Sequence, residues 1–413
     1  MEASLATHCS TEARADVIVV GAGPGGSTAA ALLARAGWDV LLLDRADFPR
    51  DKTCGDGLTP RAVAVLEHLG LLGELQAQGY QAIEGARVIS PRAEILDVPF
   101  AQYGPALGLP PLGLVIPRYE LDDRLRAHAL ACGARFQSGV HVTQPVSADG
   151  QVVGVAGTQG GKAFTARARL TILATGANIG LLKAFGVLST MPPGVNAVRG
   201  YYRGVADLGK EFEFYFENEI VPGYAWVFPL SDGRANVGVG YFARSGDGKT
   251  PDVKRMLTDF LARHARFSDA TPEGPVKGFP LRTDFPSHAA SGPGFLILGE
   301  SLGLVNPATG EGIDFAMESA ELAAEAAAAA LAGKDTTRRS LLRYDRLLER
   351  RYGSLFRGLQ VVKHLAMGPR GISILVHKAQ TRPHLARVIA GVTLGTISPW
   401  AAFAPRVWWD ILR

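Results

Sequence analysis

Cysteine is scarce in this chain: three residues among 413, Cys9, Cys54 and Cys132, with no C-x-x-C pair. That scarcity excludes a disulfide framework and a cysteine-built metal cluster, so no metal site is expected, and a reducing cytoplasm is the default setting. The first fifteen residues, MEASLATHCSTEARA, lack a basic start and an apolar core, so they read as a loose tail and not as a signal peptide. Repeats and low-complexity linkers are missing too, apart from an alanine run within 311–332. Between Arg387 and Arg406 lie 18 uncharged residues, VIAGVTLGTISPWAAFAP. Gly391, Gly395 and Pro399 interrupt them, which argues against a transmembrane helix.

The length exceeds one ordinary core, so one large or two interleaved domains are expected. Net charge is only +4, but residues 334–413 carry 15 Lys and Arg against 4 Asp and Glu, a net +11 that leaves −7 for the rest. Such a tail suits an anionic surface, and without an aromatic-basic nucleic-acid module the expectation is a membrane and no nucleic acid.

ADVIVVGAGPGGSTAAALLARAGWDVLLLDRA at 15–46 reads as strand, glycine turn, helix, strand. Gly21, Gly23 and Gly26 fall at G-x-G-x-x-G spacing: one makes a turn without a Cβ, one lets backbone approach a pyrophosphate, one packs helix tightly on strand. The helix N-terminus then offers free N–H groups and a positive dipole end to phosphates. Asp44, 23 residues beyond Gly21, ends the second strand where ribose hydroxyls need an acceptor, with Arg45 beside it. FAD and NAD both fit this pattern.

A second signal decides between them. GFLILGESLGLVNPATGEGIDFAMESAELAAEAAAAALAG at 294–333 is another strand, a glycine-rich loop with Gly310 and Gly312, and a long helix from about Ile313. It resembles the G-D-A-A-G-x-x-N-P-x-x-G-E-G-I pattern of FAD-dependent oxidoreductases of the geranylgeranyl reductase family. FPRDKTCGDGLTPRA resembles that family's P-x-x-K-x-C-G-x-G-L signature, and PGYAWVFPLSDGRANVGVG its Y-x-W-x-F-P strand pair. CGDGLTPRAV, VRGYYRG and GEGIDFAME look most like the bacterial menaquinone-type branch. The chain departs from the pattern at Glu300, where the family has an Asp for the flavin ribitol, and at Ser301.

The resemblance implies an α/β fold: a Rossmann-like FAD-binding domain of the aromatic-hydroxylase-like type (15–78, 112–189 and 291–333), interleaved with an antiparallel-sheet substrate domain (79–111 and 190–290) and followed by a helical region (334–413). It implies FAD contacts from Arg118, at the start of a helix, and from Thr175 and Gly176 in LTILATGAN; the other reading of Arg118 is a solvated helix-start residue. It places Lys52, Cys54 and Gly55 beside the flavin on the substrate side, with Cys54 either donating a proton or shaping the pocket.

In 190–290, short alternating runs separated by glycine turns are sheet patterning. Tyr201, Tyr202, Phe214, Phe216, Trp226 and Phe228, with Tyr224, are expected to supply an apolar wall facing the flavin, or ordinary sheet core. Leu341, Tyr344, Leu348, Tyr352, Leu355, Leu359 and Val362 recur at three and four, which predicts an amphipathic, arginine-rich helix.

The function implied is reduction of C=C bonds in a polyprenyl substrate. The alternative is a flavin monooxygenase or halogenase acting on an aromatic or polyketide substrate; halogenases show W-x-W-x-I-P, and here Tyr224 stands in place of the first tryptophan. A non-enzymatic flavin-binding assembly protein is the third reading, for which nothing in the sequence argues. No second nucleotide fingerprint is present, so the expected reductant is transiently docked NAD(P)H or a small electron carrier.

Overall fold

The computed structural model describes residues 12–192, 194–242 and 251–413. Cys9 and most of the N-terminal tail lie outside them. The strand Glu12–Val20 sits at the centre of the first sheet, parallel to Val40–Leu43 on one side and to Lys162–Leu173 on the other. Arg135–Gln137 and Phe295–Ile297 extend the parallel order outward. Val17–Val19 and Val40–Leu43 are buried on both faces, which is why these strands read as unbroken apolar runs and not as alternating ones. The helix Pro24–Arg35 makes the crossover between the first two strands, and the meander Val140–Ala148, Gln151–Gln159, Lys162–Leu173 is antiparallel.

The second sheet draws strands from two separate stretches of sequence. Gly194–Arg203, Arg234–Phe242, Gly223–Pro229 and Glu211–Tyr215 pair antiparallel in that order. Gly85–Ile89 then joins parallel to Glu211–Tyr215, with Ile95–Pro99 beyond it. Gln81–Ile83, by contrast, pairs with Gly113–Val115, which also pairs with Gly57–Leu58, in a small third sheet. One face of the second sheet is covered by the helix Val253–Arg263, which buries Leu257 and Phe260. Asp252 caps that helix, accepting from the N–H groups of Lys254 and Arg255 at 3.0 and 3.2 Å.

The long helix Ile313–Ala332 packs along Pro24–Arg35 through small side chains, alanine above all. After it the expected amphipathic helix forms as Arg338–Leu348 and Ser354–Ala366, joined by a wide π turn at Glu349–Gly353. Leu341, Tyr344, Leu348, Tyr352, Leu355 and Leu359 are buried as the periodicity requires; Val362 is only half-buried. Prolines then start each of the remaining short elements, Pro369–Thr381, Pro383–Thr393, Pro399–Phe403 and Pro405–Leu412. Among the described residues no helix is long and apolar enough to cross a membrane.

Candidate active site

The carboxyl ends of the parallel strands converge on one cavity of about 770 Å³, where open α/β sheets place their ligands. Gly21, Gly23, Asp44, Ala174, Gly176 and Glu300 line it from the first sheet, and Tyr224, Trp226 and Phe228 from the second.

The three turn glycines separate by function. At Gly21, with φ +106°, an added Cβ would meet the Ala174 carbonyl oxygen at 2.3 Å; at Gly26 it would lie 1.8 Å from the Gly21 carbonyl oxygen. Those two are demanded by the fold. At Gly23 an added Cβ would meet only side-chain tips, Arg50 at 3.6 Å and Arg118 at 3.9 Å, so this backbone is open toward the cavity. Gly23 also begins the helix Pro24–Arg35 without a side-chain cap, so its first N–H groups are left for a ligand.

Asp44 is fixed at both oxygens: it accepts from the N–H of Ala22 at 2.8 Å and from the N–H of Ala46 at 2.9 Å. Arg45 stands exposed at the cavity rim. Arg118 is buried, not solvated, and grips Asp122 with two bonds of 2.6 and 2.7 Å. Burial alone would lower its pKa, but Asp122 raises it above the usual arginine range, so its charge is permanent. Arg50 reaches the same Asp122 at 3.1 Å and stands in front of Gly23. Two guanidiniums around an open glycine turn, with an anchored aspartate one strand away, fit the pyrophosphate and ribose of an adenine dinucleotide.

On the far strand ends, Thr175 Oγ1 donates to the Asn178 carbonyl at 3.2 Å, and Gly176 is left-handed at φ +64°. Glu300 accepts from Lys52 Nζ at 3.2 Å and from the Arg282 N–H at 3.4 Å, so the carboxylate at the family's ribitol position already has a lysine partner. Gly310, left-handed at φ +72°, and Gly312 bring the Ile313–Ala332 helix N-terminus to the cavity wall.

The segment 51–58 is tied to the second sheet by side chains far away in sequence. Asp51 pairs with Arg199 and Lys277, each at 2.6 Å. Asp56, left-handed at φ 64° and fully buried, accepts from Tyr201 at 2.6 Å, Asn236 at 2.8 Å and the Arg118 N–H at 3.2 Å. Burial raises its pKa to about 6 against the pull of Tyr201 and Asn236. Cys54 and Gly55 are thereby presented to the cavity; a Cβ on Gly55 would lie 3.1 Å from the Phe228 ring.

Strand alternation decides which aromatic residues face the cavity. Tyr224, Trp226 and Phe228 do so, joined by Phe242 and Phe279. Tyr202 points to the opposite face and packs with Leu257 and Phe260, while Tyr201 is used on Asp56. Phe214 lies behind the wall, its ring centroid 5.3 Å from that of Tyr224 and 5.4 Å from that of Phe228; Phe216 stacks on Tyr224 at 5.6 Å. Four of the seven aromatics expected on the wall are thus core or anchor. Sequence reasoning passed over Arg50, Asp56, Arg199, Asn236 and Glu311, although all five lie in stretches it had marked out.

The fold and this cavity define an FAD-dependent oxidoreductase. The chain belongs to the FAD binding domain family, whose pattern matches residues 14–351. It is 37% identical to the menaquinone reductase of Mycolicibacterium smegmatis over 76% of each chain. It is also 36% identical to that of Mycobacterium tuberculosis over 87% of this chain and 85% of the relative. Digeranylgeranylglycerophospholipid reductase 2 of Methanopyrus kandleri is 32% identical over 83% and 84%. Among solved structures, a geranylgeranyl bacteriochlorophyll reductase-like protein from Thermoplasma acidophilum shares the fold with a TM-score of 0.80, 23% identity and coverage of 90% and 92%. The myxobacterial chondrochloren halogenase CndH shares it at 0.73, with 24% identity and coverage of 86% and 83%.

Proposed function

We propose that the protein saturates C=C bonds of a polyprenyl chain carried by a quinone, a lipid or a diphosphate. The observation that carries this reading is the wall of Tyr224, Trp226, Phe228 and Phe242 along the cavity, which offers an apolar surface to a hydrocarbon chain. The reductase names of the relatives support it.

In this reading Gly21, Gly23, Gly26, Asp44, Arg45, Arg118, Thr175, Gly176, Glu300, Gly310, Gly312 and Ile313 hold FAD, which when bound supplies the hydride. Tyr224, Trp226 and Phe228 hold the prenyl chain and exclude water. Lys52, Cys54 and Gly55 form the substrate-side edge of the cavity. The reductant is NAD(P)H docking transiently, or a small carrier. The protein works in the cytoplasm, with its basic C-terminal region docked on an anionic membrane where the substrate resides.

The test is anaerobic. Protein carrying FAD is reduced with dithionite and mixed with prenyl-quinone, prenyl-lipid and prenyl-diphosphate candidates. Return of the oxidised flavin spectrum with a substrate two mass units heavier supports the reading. No reaction without oxygen, but product formation on admitting it, would assign a monooxygenase.

A further inference from the structure

Adding two hydrogens to an unactivated alkene needs a proton donor inside a water-poor cavity, and the 54–56 loop is not the only candidate wall. The loop between Asn306 and the long helix carries Thr309, Gly310, Glu311 and Gly312 into the cavity lining, and Asp314 lines it from the helix's first turn. Tyr224 crosses to this loop and donates to the Thr309 carbonyl. The Tyr224 hydroxyl is therefore near Glu311.

The nearest cation to Glu311 among the described residues is committed to other carboxylates. Arg61, the cation that enters from the helix Pro60–Leu69, is bound to Glu318 through Nε at 3.0 Å and again through a second nitrogen. Arg61 also donates to the carbonyls of Leu394 and Gly395, at 3.1 and 3.2 Å, and lies 4.0 Å from Asp314. Tyr352 also donates to Glu318, at 2.7 Å, and Thr59 donates to Asp314 at 3.2 Å. Among the described residues no lysine, arginine or histidine forms an ion pair with Glu311. The positive end of the helix dipole is already matched by Asp314 in the first turn. A carboxyl that faces a cavity with a second carboxylate beside it and no cation of its own keeps its proton.

We propose that Glu311 is the proton donor of the saturation reaction: it holds the proton at neutral pH and gives it to one alkene carbon while the other takes the hydride. The inference rests on the reductase reading. The C=C π bond breaks, one C–H bond forms from the hydride of reduced flavin, the other forms from the Glu311 O–H, and the carboxylate left behind takes a proton from water. Burial, then the charge of Asp314, pushes Glu311 up to about 8, against the Thr309 hydroxyl and Arg61; burial raises Asp314 to about 6. Donation is therefore available below pH 8 and is lost as pH rises through it.

The test uses FAD-loaded wild type, Glu311→Gln, Asp314→Asn and Cys54→Ser. Infrared difference spectra between about pH 7.5 and pH 10, above the range in which Asp56 and Asp314 titrate, should show a protonated-carboxyl band in wild type that vanishes in Glu311→Gln. Single-turnover reoxidation of the reduced protein by a prenyl alkene should slow by roughly a hundredfold or more in Glu311→Gln, with flavin content and dithionite reduction unchanged. Asp314→Asn removes the neighbouring charge, so the band's midpoint and the rate's midpoint should fall together; Cys54→Ser should keep the wild-type midpoint. A band that survives in Glu311→Gln, a rate that does not change there, or a midpoint lost in Cys54→Ser instead overturns the assignment. The wild-type reaction separates the two readings: if no prenyl alkene reoxidises it, the reductase reading fails, whereas the donor assignment fails only on the variants.

Discussion

The side-chain amide of Asn236 donates at 2.8 Å to the main-chain carbonyl of Cys54, joining the second sheet to a loop 182 residues earlier. The same amide donates to Asp56 at 2.8 Å, and its oxygen accepts from the Trp226 indole at 2.9 Å. One side chain therefore sets the position of both the loop and the aromatic wall. Asn236→Leu keeps the volume but strands the Cys54 carbonyl and the Trp226 indole N–H, at about 1–3 kcal/mol for each group left without a partner, while Asp56 keeps Tyr201 and the Arg118 N–H. We expect a loss of at least about 2 kcal/mol in urea unfolding and weaker FAD binding on titration. Stability unchanged from wild type would show that the two stranded groups find other partners.

The parts of the site that were legible in sequence are those written in short-range pattern. Asp16–Val20, the glycine spacing and Val40–Leu43 each report on neighbours within a few residues, and the first sheet forms on them. The alternating strands of the second sheet were readable for the same reason. Which face points to the cavity was not: adjacent Tyr201 and Tyr202 point to opposite sides, and periodicity fixes alternation without its sign. Asp56 stood inside a quoted motif, yet its partners Tyr201 and Asn236 lie 145 and 180 positions away. Glu311 sat between two glycines that drew attention to themselves, and a lone glutamate in a loop reads as solvated until the cavity around it is known.

The turn glycines can be told apart by experiment. Gly26→Ala drives a methyl into the Gly21 carbonyl, 1.8 Å from where its Cβ must lie, so the turn itself is lost and soluble folded protein should be scarce. Gly23→Val meets no protein atom closer than 3.6 Å at Cβ, so circular dichroism should be native while the flavin absorbance of the purified protein is lost. A yellow, fully loaded Gly23→Val would rule out a pyrophosphate at this turn.

Asp56 links stability to pH. Its carboxyl is raised from 3.8 to about 6 by burial, so the folded state holds a proton that the unfolded chain gives up. The stabilisation is complete below pH 3.8 and is lost as pH rises through 6, a difference of about 3 kcal/mol. Asp56→Asn cannot titrate. With FAD saturating, the stability of wild type relative to Asp56→Asn should therefore fall by up to that amount from pH 4 to pH 7, measured by urea unfolding at each pH. His128 and His288, whose pKa values burial lowers, titrate in both proteins and cancel in the difference. A pH-independent difference would mean Asp56 is ionised throughout.

The uncharged stretch after Arg387 divides in two: Val388, Ala390, Val392 and Leu394 are buried against the body, where Arg61 holds the carbonyls of Leu394 and Gly395. Beyond Pro399 the apolar side chains turn outward, with Trp400 at 47% exposure, Trp408 at 45%, Trp409 at 56% and Leu412 at 77%. Arg413 lies 3.8 Å over the Trp409 ring, a cation and an aromatic at one place on the surface. Tryptophans beside arginines suit the headgroup layer, and each basic residue that reaches an anionic surface adds about 1 kcal/mol. A spanning helix is not needed for this, and the exposed tryptophans all lie after Pro399. Wild type should therefore float with anionic phospholipid vesicles at low salt and come off at high salt. The pair Trp408→Ala and Trp409→Ala should float poorly while keeping FAD, because neither indole contributes to the cavity lining. Equal flotation with neutral vesicles would remove the role of the +11 tail, and no flotation with any composition would sink the docking surface altogether.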